Sequence, residues 1–235
     1  MATHYRTEGY VLKKTDLREA DQLFTVYTRD YGKVDILGRA IRKMTSKLRS
    51  GIELFYLSEI EFIQGKAYKT LTDAILINKF KNIRNDLEKM KTAYQIVDMV
   101  DGLIKGQEPD ERIWKLLNES FERLSLSTYL IYHYFFWNFL SVLGYQIDLY
   151  NCVYCKKQLI PLKLYFNAQE GGIFCAKCFN ESEDRIDVSP ETIKIVRLLS
   201  ERDWNVLERF KIDEKHKEEL QRLSDYYLEF LNSTL

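Results

Sequence analysis

The sequence is poor in proline, has no long apolar run and shows no excess of charge of either sign. Its 235 residues include three prolines, and lysine plus arginine equal aspartate plus glutamate at 35 each. Repeats, Ser/Gly-rich linkers and low-complexity tracts are missing, which excludes solenoid and loosely tethered architectures. The longest apolar stretch, 129–143, is too short to cross a bilayer and contains His133 and Asn138, so we expect a buried helix there and no membrane segment.

Sequence motifs of nucleotide-dependent catalysis are also missing. Neither G-x-x-x-x-G-K-[ST] nor G-x-G-x-x-G occurs, which removes the common phosphate-binding loops. One acidic cluster, Asp16, Glu19 and Asp21, lies close in sequence to Lys13, Lys14 and Arg18. This mixture predicts a surface of both charges and not the grouped carboxylates that hold Mg²⁺ in a nuclease. The sequence therefore favours a protein that is not an enzyme.

Cysteine is confined to two C-x2-C pairs separated by nineteen residues. Each pair places two sulfurs on one tight turn, and the spacing is typical of a structural zinc site with four thiolate ligands. Two disulfides or free cysteines are the alternatives. An alternating run at 163–166, followed by Gly171 and Gly172, predicts a strand and a turn between the pairs. The predicted ligands of one structural zinc ion are Cys152, Cys155, Cys175 and Cys178.

Residues 8–78 have the composition of a small β-barrel. Segments rich in β-branched and aromatic residues alternate with turn signals such as Gly32, Gly38, Gly51 and Gly65. Five strands within this length predict an OB-fold, although the spacing alone is also compatible with an SH3-like barrel. The predicted strands are 9–12, 23–27, 33–37, 53–63 and 69–77.

After residue 80 the apolar residues change to helical spacing. Two stripes predict two helices, and a third, aromatic helix ends at Gly144. Ser189 and Pro190 are typical of an N-cap and a first helical position, and a last amphipathic helix spans about 214–231. The two stripes are Ile83, Leu87, Met90, Tyr94, Val97 and Ile104, then Ile113, Leu116, Leu117, Phe121 and Leu124.

These patterns predict an α+β fold in two parts. A five-stranded OB-fold barrel occupies 1–79, and an α-helical domain occupies 80–235 and carries an inserted four-cysteine zinc knuckle at about 150–180. The aromatic helix is apolar nearly all round, which predicts a core helix. Its alternative role is a groove for a hydrophobic peptide of a partner.

A basic loop joins the predicted third and fourth strands. Its five cations fall within eleven residues that contain no acid, and residues 1–80 carry fourteen basic against ten acidic side chains. A polyphosphate backbone is the partner that this pattern favours, especially on a small barrel with aromatic residues for base stacking. A solvated, mobile loop is the alternative. The predicted DNA-binding residues are Arg39, Arg42, Lys43, Lys47 and Arg49.

Short motifs keep a fixed order along nearly the whole chain. They are EGYVL at 8–12, EADQL at 19–23, YGK at 31–33, GRAIRK at 38–43, SKLR at 46–49, FL at 139–140, LGY at 143–145, DL at 148–149, Phe166 and VSP at 188–190, with Gly171, Gly172 and both C-x2-C pairs. In this order and spacing they resemble the RecO family of bacterial recombination mediators.

The resemblance implies an OB-fold, a helical domain and a zinc-binding element. It implies binding of single- and double-stranded DNA, strand annealing in DNA repair and recombination, and cooperation with RecR and single-stranded DNA-binding protein (SSB) to help load RecA. The implied location is the bacterial cytoplasm, in association with the nucleoid, and the polar opening residues 1–10 lack the apolar core of a secretory signal.

Two other functions compete with this interpretation, namely a zinc-containing nuclease- or ligase-like enzyme and a scaffold that binds only proteins. The resemblance further implies capture of the acidic, phenylalanine-ended tail of SSB, which requires an apolar slot beside cations. Residues 80–147 are the predicted location of this slot. Their candidate cations are Lys89, Lys91, Lys105, Arg112, Lys115 and Arg123.

Overall fold

The chain divides into two compact units, Met1–Thr128 and Tyr129–Leu235. The structure is a computed structural model that describes residues 3–65, 67–178 and 185–234. Residues 179 and 180 of the predicted zinc element lie outside these ranges.

The first unit begins with a closed barrel of five strands in the order β1-β2-β3-β5-β4. All neighbouring strands are antiparallel except β3 and β5, which run parallel where Ile36 faces Lys69 and Leu37 faces Thr70. This order confirms the predicted OB-fold over the SH3-like alternative. The strands are β1 (His4–Leu17), β2 (Asp21–Thr28), β3 (Gly32–Gly38), β4 (Leu57–Ile63) and β5 (Lys69–Asn78).

Alternation along the strands fills the barrel with apolar side chains. Every second residue of β4 is buried, as expected for a strand with one face on a core. The core cluster consists of Val11, Phe24, Val26, Val34, Ile36, Ile41, Ile52, Ile60, Phe62 and Leu71. Ile41 and Ile52 belong to the segment between β3 and β4, so this long connection is anchored inside the barrel.

The predicted start of the fourth strand at residue 53 is wrong, because β4 begins at Leu57. Phe55 has a φ of 65°, in the left-handed region that a strand does not contain. Its N–H donates to the carbonyl of Val11 at 3.0 Å, and its ring is buried. A buried turn therefore replaces the first residues of the predicted strand.

Three helices complete the first unit: α1 (Lys81–Arg84), α2 (Leu87–Leu103) and α3 (Glu111–Arg123). Asp86 and Asp110 cap α2 and α3 by accepting bonds from backbone N–H groups in the first turn. Tyr10 of β1 packs against Phe80, Trp114 and Phe121, and its hydroxyl donates to Asn118 Oδ1 at 2.7 Å. The first compact unit therefore continues past residue 79, where the sequence placed a domain boundary.

The second unit combines helices with a small sheet of order β7-β6-β8. In α4 every residue from Leu130 to Leu140 is buried, which confirms the predicted core helix. In the described ranges, no helix is both long enough and apolar enough to cross a membrane. The elements are α4 (Thr128–Val142), β6 (Leu164–Asn167), β7 (Gly172–Cys175), β8 (Ile186–Val188), α5 (Pro190–Glu201), α6 (Trp204–Leu207) and α7 (Glu214–Thr234).

Asn138 of α4 finds its hydrogen-bond partners inside this unit. Asn138 donates to the carbonyls of Tyr134 and Leu199 at 2.8 and 2.9 Å and accepts from Arg202 Nε at 2.6 Å. Burial lowers the pKa of His133 to about 3, so this ring stays neutral at physiological pH. Ser189 caps α5 as predicted, since its hydroxyl accepts from the N–H of Thr192 at 3.2 Å.

Candidate metal centre and nucleic-acid interface

The four cysteines, far apart in sequence, converge in the second unit. Their sulfurs all lie within 4.8 Å of one another, and the sulfurs of Cys155 and Cys175 are 4.0 Å apart. Tetrahedral zinc with Zn–S bonds of about 2.3 Å requires S–S separations of about 3.8 Å. All four are free thiols, which contradicts the disulfide alternative. The cluster therefore has the donor set and the size for a tetrahedral metal ion.

A hairpin brings the two pairs together. Strands β6 and β7 pair from Leu164–Cys175 to Asn167–Gly172, which confirms the predicted strand and turn between the cysteine pairs. The first pair docks on β7 because the N–H of Val153 donates to the carbonyl of Ile173 at 2.8 Å. A Cβ atom at Gly172 would lie 2.8 Å from Val153 Cβ, so glycine is needed for this close approach.

Hydrogen bonds from backbone N–H groups lower the pKa of the Cys152 thiol. Burial raises the pKa of the Cys152 thiol, but donation from the N–H of Cys175, Cys155 and Tyr154 outweighs burial and lowers the pKa to about 6. Burial and the neighbouring thiols raise the pKa of Cys178 to about 12. Four sulfurs at this separation resist joint ionisation, and a bound cation removes that resistance. The four thiols could therefore ionise together around a bound cation.

The predicted DNA-binding loop lies between β3 and β4. Arg39, Arg42, Lys43, Lys47 and Arg49 are all exposed. Within the described residues, an ion pair to an acid is seen for Arg42 alone among the five, from Nη1 to Asp16 Oδ2 at 3.2 Å. The other four cations are therefore available to an anionic partner.

Hydrogen bonds and buried side chains hold the basic loop in place. The N–H of Ala40 donates to Asp21 Oδ1 at 2.8 Å, and the N–H of Arg42 donates to the carbonyl of Ala20 at 3.1 Å. Ile41 is buried between these two residues. The structure thus favours an anchored loop over the mobile alternative.

The far end of the loop is held by a close backbone contact. A Cβ atom on Gly51 would lie 1.8 Å from the carbonyl oxygen of Ala74 in β5, so any larger residue would displace the chain. The hydroxyl of Ser58 donates to the carbonyl of Gly51 at 2.6 Å. Contacts with the barrel therefore hold both ends of the loop that carries the five cations.

A cavity of about 820 Å³ lies beside the loop. Arg39 lines it together with Arg18 and Tyr68, and the Tyr68 ring is 43% exposed. Tyr68 is one of the barrel aromatic residues that the sequence offers for base stacking, whereas Arg18, from the β1–β2 turn, is not among the predicted DNA-binding residues. An exposed ring and two guanidinium groups that line one cavity have the composition of a platform for a nucleic-acid base.

In the acidic cluster near this loop, the carboxylates of Asp16 and Asp21 already have protein partners. Asp16 accepts from Gln22 Nε2 at 2.7 Å and pairs with Arg42, while Asp21 accepts from the loop backbone. Among the described residues, the four cysteines are the one group of three or more His, Cys, Asp or Glu side chains close enough to share an ion. The acidic residues thus form part of the mixed-charge surface that the sequence predicted.

Comparison with protein families assigns the chain. Residues 1–80 match the model described as "Recombination protein O N terminal", and residues 84–231 match "Recombination protein O C terminal". The chain belongs to the RecO family. The two RecO models meet near the predicted boundary between residues 79 and 80, although the first compact unit extends to Thr128.

Curated relatives have the same family name. The chain is 30% identical to "DNA repair protein RecO" of Desulforamulus reducens over 96% of this chain and 89% of the relative. It is also 30% identical to the protein of that name from Dehalococcoides mccartyi (strain ATCC BAA-2266 / KCTC 15142 / 195), over 92% of this chain and 86% of the relative. The "DNA repair protein RecO" of Acetivibrio thermocellus is 28% identical to this chain, over 96% of this chain and 90% of the relative.

The RecO assignment establishes a family of DNA repair proteins and confirms the resemblance seen in the sequence. It does not test individual residues. The zinc ligands and the DNA-binding side chains therefore stay predictions, supported by the geometry of the cysteine cluster and by the exposure of the loop.

Proposed function

We propose that this protein is a DNA-binding and strand-annealing recombination mediator that is not an enzyme. The observation that carries the proposal is the anchored loop of five exposed cations on an OB-fold barrel, in a chain of the RecO family. Lysine and arginine bind phosphates by releasing condensed counterions, and such contacts read no base sequence. Sequence-independent binding is what annealing of arbitrary complementary strands requires.

The proposed partners are RecR, SSB and, through loading onto coated single strands, RecA, at the bacterial nucleoid in the cytoplasm. One structural zinc ion, held by the four cysteines, would tie the two turns of the knuckle together. Four sulfur ligands leave no open position for water, so the ion would supply folding free energy and no chemistry.

A direct test of the proposed function uses the zinc-loaded protein and complementary labelled oligonucleotides. We expect tight binding of single strands that weakens with salt, and faster annealing than for the naked strands. Absence of binding at low salt would favour a protein-only scaffold. Cleavage or joining of the oligonucleotides that depends on a divalent cation would favour the enzyme alternative.

A groove in the first unit fits the proposed SSB tail. It encloses about 520 Å³ and presents Phe55, Met90 and Tyr94 beside the cations Lys13 and Arg84. Phenyl burial supplies affinity, and cations match the acidic residues of the tail. We therefore propose this groove for the tail. Arg84, Met90 and Tyr94 belong to the predicted region 80–147, whereas Lys13 and Phe55 belong to the barrel segment that precedes it.

The cations of α3 have closer acidic partners than Lys13, whose Nζ atom lies 3.7 Å from Asp101 Oδ2. Arg112 is bound by Asp110 at 2.7 Å, and Lys115 pairs with Glu111 at 3.1 Å. The aromatic side chains of α4 are buried, so they offer no exposed slot.

A fluorescent tail peptide tests the groove. Lys13→Glu combined with Tyr94→Ala should weaken the peptide at least about tenfold, because it removes an apolar wall and reverses one charge. Arg112→Glu combined with Arg123→Glu is the matched control and should retain the peptide. If the α3 variant loses the peptide while the groove variant keeps it, the tail docks on α3 and the groove assignment is wrong.

A further inference from the structure

The cysteine knuckle exposes an aromatic ring that its fold does not use. Tyr154, within the first C-x2-C turn, is 77% exposed, the highest value for an aromatic side chain among the described residues. Its backbone N–H donates to the Cys152 sulfur, but its hydroxyl makes no hydrogen bond in the described structure. An exposed tyrosine contributes little to a core, so the stability of the knuckle does not account for it.

Three exposed lysines belong to the same two cysteine turns. Lys156 and Lys157 follow the first pair, and Lys177 occupies in the second turn the position that Tyr154 occupies in the first. The four sulfurs lie within 4.8 Å of one another, so the two turns that carry these residues meet at one cluster. Residues 148–178 contain four lysines and two acids, Asp148 and Glu170, and Asp148 interacts electrostatically with Lys156. No ion pair of these three lysines is seen in the described part of the chain.

We propose that the knuckle is a second contact for single-stranded DNA, separate from the barrel loop. Tyr154 would stack on a base, and Lys156, Lys157 and Lys177 would contact phosphates of the same strand. A stacking ring with neighbouring cations is the combination that binds single strands without sequence preference. The inference rests on the proposed DNA function and adds a contact on the second compact unit.

One competing explanation concerns charge alone. Four thiolates and a divalent ion carry a net charge of −2, and the lysines would offset it. This explanation accounts for the lysines but not for the exposed ring of Tyr154. A protein partner that covers the ring is the other competing explanation, and both are outcomes of the test below.

The test uses the full zinc-loaded chain, labelled oligo-dT and a salt series. Tyr154→Ala should weaken binding about fivefold or more, while Tyr154→Phe keeps the ring and retains affinity. The triple variant Lys156→Ala, Lys157→Ala and Lys177→Ala should reduce the slope of log affinity against log salt by about 2, from about 0.7 per contact. The matched control removes three exposed lysines of the same unit, Lys194, Lys211 and Lys215, and should leave the slope unchanged.

A cross-linking experiment locates the strand directly. The protein is bound to an oligonucleotide that contains 5-bromodeoxyuridine, and the complex is irradiated. Proteolysis should then yield a peptide that is cross-linked at Tyr154. Unchanged affinity and slope in both knuckle variants, with binding still reduced by the loop variant, would overturn the inference and leave the proposed function standing. Loss of zinc without a change in slope would assign the lysines to charge neutralisation and likewise overturn it. If the unmodified protein binds no DNA, the proposed function itself fails.

Discussion

Replacing Cys175 with serine should release most of the bound zinc and lower the melting temperature of the protein. A serine hydroxyl is a poor zinc ligand, and Cys175 ends β7, where the second turn joins the sheet. Structural zinc supplies about 10–16 kcal/mol of apparent binding free energy in small zinc peptides at neutral pH, and that free energy is coupled to folding. Zinc content per chain and thermal unfolding measure the two effects.

Ala176→Ser is the matched control, because it adds the same hydroxyl at an exposed neighbouring position and keeps all four sulfurs. It should keep zinc content and melting temperature unchanged. Full stability of the unmodified protein after purification without metal would show that the knuckle does not need the ion, and the zinc assignment would be wrong.

Removing the five cations of the basic loop should abolish most of the salt dependence of DNA binding. Each lost phosphate contact reduces the slope of log affinity against log salt by about 0.7 to 0.9, so five contacts change the slope by about 3.5 to 4.5. The loop anchors Ile41 and Ile52 stay in place, and the exposed Arg42–Asp16 pair contributes little to stability. The variant carries Ala at Arg39, Arg42, Lys43, Lys47 and Arg49, and titrations of single-stranded oligonucleotide across a salt series provide the measurement.

The control removes cations that already have acidic partners, with Ala at Lys89, Arg112 and Lys115. Its slope should stay close to that of the unmodified protein, although the net charge falls by three. An unchanged slope in the five-residue loop variant, with the same melting temperature as the parent, would exclude the loop from DNA binding.

Local patterns made the barrel and the knuckle predictable. Apolar residues at every second position, such as Ile60 and Phe62, predict a strand with one buried face. The C-x2-C spacing predicts a shared metal ion, because each pair places two sulfurs on one turn. The first residue of β4 was not predictable in this way. Phe55 reads as a strand residue by composition, but its left-handed backbone is imposed by the contact with Val11, which is remote in sequence.

Contacts between remote segments explain the other differences. Leu87 and Tyr94 fit the apolar stripe of the first predicted helices, yet they are 75% and 44% exposed because the stripe is wider than the buried face of α2. The extension of the first unit beyond residue 79 depends on the packing of Tyr10 against Phe80 and Trp114, which periodicity does not report. Arg18 was missed for the same reason, since only the fold brings it to the cavity beside Arg39.

The parallel seam of the barrel has a consequence for folding kinetics. Strands β1 to β3 form a local meander and β4 with β5 forms a hairpin, so each piece depends on contacts between residues close in sequence. Joining them requires the long-range β1–β4 pairing and the short β3–β5 seam, and contacts of this kind slow the search for the native state. The connection that must close is the basic loop, whose like charges repel. We therefore expect the barrel to fold faster as ionic strength rises, because the Debye length is about 10 Å at 0.1 M and the repulsion between loop charges farther apart than this is then largely screened.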